Sequence, residues 1–161
     1  MFDVEIRRAR RNEAREAFEL LQLAVAGGAA PVAAGRAAAN DAVLEATCDL
    51  SRVHLVTLDA MPAGMVMSGE AAASNGDARG WRIEALAVHP EYHGLGLGRR
   101  LMRVVETLAL AHEVEEISLE LAAAAQARPF FAGQGFRSTP ASRQELLRLA
   151  KPLVRWTAAA A

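Results

Sequence analysis

The sequence predicts one α+β domain. Two observations carry that: predicted strands give way to helical patterns and strands return near the end, and no segment repeats. A third is length, because 161 residues sit within the usual span of about 100–200 for one domain. Such a chain is long enough to bury a sizeable core. The domain is read as residues 1–155, with Trp156 to Ala161 a frayed tail.

Val4 to Arg8 reads as a first strand. Asn12 is placed as an N-cap, after which Ala14, Ala17, Phe18, Leu21 and Val25 recur on one helical face. Gly27-Gly28 ends that helix, and Ala29 to Ala39 is small and turn-prone. A shorter helix is expected over Asp41 to Leu50, with Val43, Leu44, Thr47 and Cys48 on one side. Val53 to Leu58 reads as a strand, Asp59 to Gly64 as a turn, and Met65 to Ala72 as the antiparallel partner. Ser74 to Asp77 is a second turn. Ile117 to Leu121 is a further buried strand, and Gln126 to Gln134 a short helix. Gly135 is expected to open the next strand, Ser138 to Ser142 to be a loop, and Leu146 to Val154 to be the last strand. Pro152 suits an edge or an end there.

Between these lies the stretch around which the rest is organised, WRIEALAVHPEYHGLGLGRRLM from Trp81 to Met102. Side chains alternate from Ile83 to Val88, as in a strand. Pro90 cannot donate to a ladder, so the strand ends there. Gly94, Gly96 and Gly98 fall on every second residue, and Leu101, Val105, Leu108 and His112 then follow at helical spacing. A strand, a glycine loop and a helix in that order make an anion site. The loop lets an anion approach without meeting a Cβ, its amides point into one concavity, and the helix adds unpaired N–H groups and the positive end of its dipole. Each amide bond to a charged oxygen is worth roughly 1.5–3 kcal/mol. Arg99 and Arg100 in the first helical turn are misplaced for the dipole unless an anion is near.

Two common phosphate loops do not fit. The P-loop needs Gly-Lys-Ser/Thr, and the single lysine, Lys151, is far away. The dinucleotide fingerprint needs G-x-G-x-x-G after a first strand; here the third glycine comes one residue early and the loop is mid-chain. Leu86-Ala87-Val88-His89-Pro90-Glu91-Tyr92 followed by His93-Gly94-Leu95-Gly96-Leu97-Gly98 and Leu101 instead resembles the acyl-CoA signature of the GNAT superfamily of N-acetyltransferases. Ala127 to Phe136, ending in Gly135-Phe136, resembles that family's late helix. The two matches stand in the right order and at the right separation.

The resemblance implies a mixed, mostly antiparallel central sheet flanked by helices. It also implies that the strands at Trp81–Val88 and Ile117–Leu121 splay apart, with acyl-CoA in the gap. Acetyl-CoA would be held by Leu86, Ala87 and Val88 through backbone N–H groups. Its diphosphate would be held by His93, Gly94, Leu95, Gly96, Leu97, Gly98 and Arg99. Backbone donors aimed at developing negative charge would also polarise the thioester carbonyl. Glu84 is the candidate general base, read as projecting on the same face as Leu86 and Val88, with partial burial raising its pKa. Its plainer role is a strand salt bridge with Arg82 or an arginine of a neighbouring strand. Glu70 is the second choice. Where the family commonly has a tyrosine acid stands Phe131, beside the cofactor and with no proton to give; an asparagine often found earlier is Ala124. His93 stands where arginine or glutamine is usual, and its amide is expected to serve the loop.

Composition excludes other classes. A formal charge of −1 gives no reason to expect nucleic acid or an anionic membrane as partner. Cys48 is the only cysteine, so no intramolecular disulfide and no cysteine-rich metal site is expected. The histidines share no metal spacing, and no metal is expected. The first residues lack the apolar core of a signal peptide and no stretch reads as a membrane span, so a cytoplasmic protein is the expectation. The function expected is acetyl transfer from acetyl-CoA to a small-molecule or peptide amine in a ternary complex. The acceptor is expected to be lined by Gly27 to Asn40 and Ser138 to Ser142. The alternatives are a domain that holds acyl-CoA as ligand or sensor, and one that uses the loop for ADP alone. An alanine-rich surface leaves room for a homodimer.

Overall fold

The computed structural model describes residues 1–26, 48–73, 76, 78–122, 125–140 and 146–153. Seven strands form one sheet: β1 (Val4–Arg8), β2 (Val53–Leu58), β3 (Met61–Ala72), β4 (Arg79–Val88), β5 (Glu116–Ala122), β6 (Arg137–Ser138) and β7 (Leu146–Pro152). Their spatial order is β1-β2-β3-β4-β5-β7-β6. Every pair is antiparallel except β4 with β5. Among the described residues three α-helices accompany them: α1 (Ala14–Ala26), α2 (Leu97–Ala111) and α3 (Arg128–Gly133).

The sheet buries both faces. On one, Val53, Leu55, Met65, Met67, Ala85 and Ala87 meet Ala17, Leu20 and Leu21 of α1. On the other, Val56, Val66, Trp81, Ile83 and Leu86 meet Leu97, Leu101, Met102, Val105 and Ala109 of α2. Leu119, Leu121, Phe131, Phe136 and Leu149 complete that second layer. A fully buried side chain of this size contributes roughly 1.5–3 kcal/mol, and the apolar face of α2 spreads that burial across β2, β3, β4 and β5.

Three local readings change. The helix start is taken by a 3-10 turn, Arg11–Glu13, with Arg10 and not Asn12 at the N-cap; Glu13 Oε2 accepts from Arg10 N–H at 2.7 Å. The β2–β3 turn is only Asp59-Ala60, both at positive φ (47° and 67°). It is tied down by Asp3, whose N–H donates to Asp59 Oδ1 and whose carbonyl accepts from Asp59 N–H, each at 2.9 Å. Pro62 and Gly64, which made the stretch read as a loop, lie in β3. The register puts Ala63 out as a bulge between them, and at Gly64 a Cβ would stand 2.7 Å from the carbonyl of Ala87. Gly135 opens no strand: it takes φ +92° just beyond α3, and only Arg137 and Ser138 pair, with β7.

Of the helix expected over Asp41 to Leu50, residues 41–47 lie outside the described residues. So do 27–40, Ala124, residues 141–142 of the predicted loop, and the tail.

Candidate active site

The site begins where two strands part. β4 and β5 pair only through Gly80–Glu116, Trp81–Ile117 and Arg82–Ser118. Beyond Arg82 the strand continues beside β3 alone. His89 N–H donates to the carbonyl of Ala63 on β3 at 2.7 Å. Alternation along the strand then turns the amides of Val88 and Leu86 away from β3 and into the gap.

Past β4 the chain makes a single 3-10 turn, Pro90–Tyr92, and enters the glycine loop. Gly94 (φ +82°) and Gly96 (φ +76°) both need the left-handed region, which a side chain disfavours. Gly98 needs closeness instead: a Cβ there would stand 3.3 Å from Phe130 Cζ. α2 starts at Leu97, and its first backbone bond is Arg100 N–H to the carbonyl of Gly96, 3.1 Å. The amides of Gly94, Leu95, Gly96, Leu97, Gly98 and Arg99 therefore have no acceptor among the described residues. Consecutive free N–H groups at a helix start are a ready anion site. His93 is not part of that run. Its N–H donates to Pro90 O at 3.3 Å, and its ring Nε2 donates to Val88 O at 2.8 Å.

A cleft of about 910 Å³ runs along these elements. Leu86, Ala87, Val88, His93, Gly94, Gly96, Leu97, Gly98 and Arg99 line it, so most of the residues singled out from sequence come together. Leu95 does not line it; its side chain projects outward, with the residue 47% exposed. Phe131 does not either. It is 1% exposed and packs edge-on between Phe130 and Phe136, and the ring that reaches the cleft is that of Phe130. Sequence reasoning passed over Phe130, Tyr92, Gln126 and, on α1, Leu23 and Ala26, all in the wall. Tyr92 stands directly before the loop, so its place in the sequence already marked it. Leu23 and Ala26 carry no local signal, since only the packing of α1 brings them there.

Glu84 stands two residues before Leu86, toward the closed end of the splay, and is not itself in the cleft wall. Met67 pairs with Ala85 and Ser68 with Ile83, so Glu84 is the extra residue of a β-bulge. The bulge reverses the alternation: Trp81, Ile83 and Leu86 all face α2, while Ala85 and Ala87 face α1. The expectation that Glu84 shares a face with Leu86 and Val88 is therefore corrected. Its Oε1 lies 2.8 Å from Arg52 Nη1, a residue at the start of β2. Burial pushes the Glu84 carboxyl above its ordinary value, and the charges of Arg52 and Arg82 offset part of that. Glu70 is half exposed and paired with Arg79 on the surface.

Among the described residues no cluster of three or more side chains fit to hold a metal ion occurs, and no helix is long and apolar enough to cross a membrane.

No curated protein matches the chain in sequence. Solved structures do match in fold. PaiA N-acetyltransferase from Thermoplasma acidophilum, in complex with coenzyme A, superposes with a TM-score of 0.73 at 14% identity, over 94% of this chain and 99% of that one. The ribosomal-protein-S18-alanine N-acetyltransferase from Escherichia coli gives 0.66 at 17%, over 96% and 98%. N-acetylglutamate synthase from Neisseria gonorrhoeae, with coenzyme A and N-acetyl-glutamate, gives 0.71 at 19%, over 95% of this chain but only 36% of the synthase. A sequence model described as an acetyltransferase (GNAT) domain matches residues 33–146, well over half of the chain. By that match, and with a sheet splayed at β4 and β5 above a glycine loop, this chain belongs to the GNAT acetyltransferases.

Proposed function

We propose that the protein transfers the acetyl group of acetyl-CoA to an amine, by direct attack within a ternary complex. The observation that carries this reading is the run of amides from Gly94 to Arg99 with no acceptor among the described residues, beside the edge of β4 that no described strand pairs. Those amides suit the diphosphate of coenzyme A, with Arg99 adding charge. The pantetheine arm would lie along Leu86, Ala87 and Val88, toward the bulge, and its thioester oxygen would take a backbone N–H of this segment. Glu84 would accept a proton from the acceptor's ammonium group. The free amine then attacks the carbonyl carbon, the C–S bond breaks with coenzyme A leaving as a thiolate, and the attacking nitrogen gives up its second proton to solvent. With phenylalanine at 131 and its ring in the core, no side chain there protonates the thiolate. A thiol pKa near 8.5 makes unassisted departure tolerable. Of the matched structures, one is named for an amino-acid product and another for an alanine of a ribosomal protein; by analogy the acceptor here is a primary amine of a small molecule or peptide.

The buried Phe131 also favours a second reading, a domain that binds acyl-CoA without turning it over. One experiment separates the two. Acetyl-CoA is mixed with amino acids, polyamines and short peptides with free N-termini, and free thiol is followed. Amine-dependent thiol release that Glu84→Gln lowers by about 10²–10⁴-fold, with acetyl-CoA affinity unchanged, supports the enzyme. Tight binding with no release across the whole panel supports the binding module.

A further inference from the structure

We propose that Arg52 is the positioning residue for Glu84: seated on Gly69, its guanidinium fixes one carboxylate oxygen and leaves the other to take the proton. The proposal rests on the reading of Glu84 as the base. Arg52 closes the 3-10 turn Leu50–Arg52. Asp49 fixes that turn by accepting from Ser51 N–H at 3.0 Å and from Ser51 Oγ at 2.7 Å. From there the guanidinium lies against the bare Cα of Gly69 on β3. A Cβ at that position would stand 2.4 Å from Arg52 Nη2 and 2.5 Å from Nε. This seat delivers Nη1 to Glu84 Oε1 at 2.8 Å, with the two side chains 32% and 26% exposed.

Three features converge on this contact: a bulge that turns Glu84 out of register, a glycine on the neighbouring strand that leaves room, and a capped turn that aims the arginine. With Oε1 held by Arg52, the proton from the ammonium group goes to Oε2. Arginine suits the task because it keeps its charge at any working pH and holds a carboxylate through a rigid planar fork. The groups facing Glu84 are few. The turn supplies Arg52 and Asp49, and β4 itself supplies Arg82. β5 supplies Glu120, 4.0 Å from Arg82. β3 presents the uncharged Gly69, and α1 presents Ala17, Leu20 and Leu21 to this face of the sheet. Among the described residues Arg52 is the one cation in direct contact.

The test is a carbon-13 NMR titration of the side-chain carboxyls in glutamate-labelled protein, the Glu84 signal being the one lost in Glu84→Gln. Arg52→Gln should move the Glu84 titration upward by about 1–3 pH units. Arg52→Lys should restore part of the shift. Gly69→Ala, which leaves Arg52 in place but displaces its guanidinium, should shift the titration in the same direction by less. With an amine from the panel, thiol release by Arg52→Gln should fall at neutral pH and recover as pH rises, with acetyl-CoA affinity unchanged. Should Arg52→Gln fail to fold, Arg52→Lys and Gly69→Ala carry the titration. An unmoved Glu84 titration in the folded variants, with Glu84→Gln inactive, overturns the role of Arg52 alone. Wild-type thiol release by Glu84→Gln overturns Glu84 as base, and this proposal with it.

Discussion

Glu13 and Glu84 are both partly buried carboxylates facing an arginine, yet their titrations move in opposite directions. Glu13 takes both ends of the Arg7 fork, Nη1 to Oε2 at 2.8 Å and Nη2 to Oε1 at 2.5 Å, and also accepts from Arg10 N–H. The Arg7 hydrogen bonds bring its pKa down to about 2. Glu84 meets Arg52 through one oxygen, and there burial wins. The consequences differ accordingly. Because the folded state favours ionised Glu13, its stabilisation is complete above the ordinary value of 4.5 and is lost as pH falls toward about 2. Glu13→Gln should therefore lower stability by about 1–3 kcal/mol at pH 7. Urea denaturation at pH 7 and pH 3 checks this, since the gap from wild type must narrow at the lower pH. For Glu84 the raised value moves the acid limb of the rate above the ordinary carboxylate range. Amine-dependent thiol release should fall with decreasing pH before an unperturbed glutamate would protonate, and a limb at or below 4.5 contradicts that.

The glycine loop is an element whose geometry and use can be pulled apart by substitution. Gly96 caps α2 at φ +76°, and nothing stands within 4 Å of where its Cβ would be. Gly76 shares the conformation at φ +81°, with equally open surroundings, but lies in the β3–β4 connection. Alanine at either position should cost about 1–2 kcal/mol of backbone strain. Only Gly96→Ala should also weaken acetyl-CoA binding, because strain that the free loop sheds by leaving φ +76° must be restored on binding; the full strain of about 1–2 kcal/mol moved from stability to binding is a loss of roughly 5–30-fold. Calorimetric titration of both variants decides, and equal affinity for the two removes the loop from the site. The loop, β2 and the β4-to-α2 passage were legible in the sequence because each is written in local pattern: alternation, a proline stop, spaced glycines, then a helical stripe. The bulge at Glu84 was not, because it exists only in the pairing of β4 with β3. The same limit hid Arg52, whose partner is 32 positions away. It also hid Phe130, because a helix of six residues is too short for periodicity to say which of two adjacent rings faces the core.

At the scale of the whole molecule, the sheet is two blocks joined by a short seam. β1 to β4 form one block and β5, β7 and β6 the other, and only Gly80–Arg82 against Glu116–Ser118 connects them through strand pairing. Below the splay, α2 bridges the blocks through one apolar face; on the side of α1 the packing among the described residues reaches β2, β3 and β4. A ligand lying along the free edge of β4 would supply the hydrogen bonds that β5 withholds, and would draw the glycine loop onto the same surface. At about 100 times its dissociation constant it should add roughly 2.7 kcal/mol, which for a chain of this size corresponds to a rise in Tm of about 5–10 °C. The pattern of protection is the sharper reading. Hydrogen exchange should slow at Leu86, at Val88 and through the Gly94–Arg99 amides, and hardly at all in the seam at Gly80–Arg82, which is already paired. Acetyl-CoA and coenzyme A should produce that pattern equally at the loop, whereas ADP should protect the loop and leave Leu86 and Val88 exchanging. Slowing spread evenly over both blocks would instead mean that binding tightens the fold as a whole, without using the unpaired edge of β4.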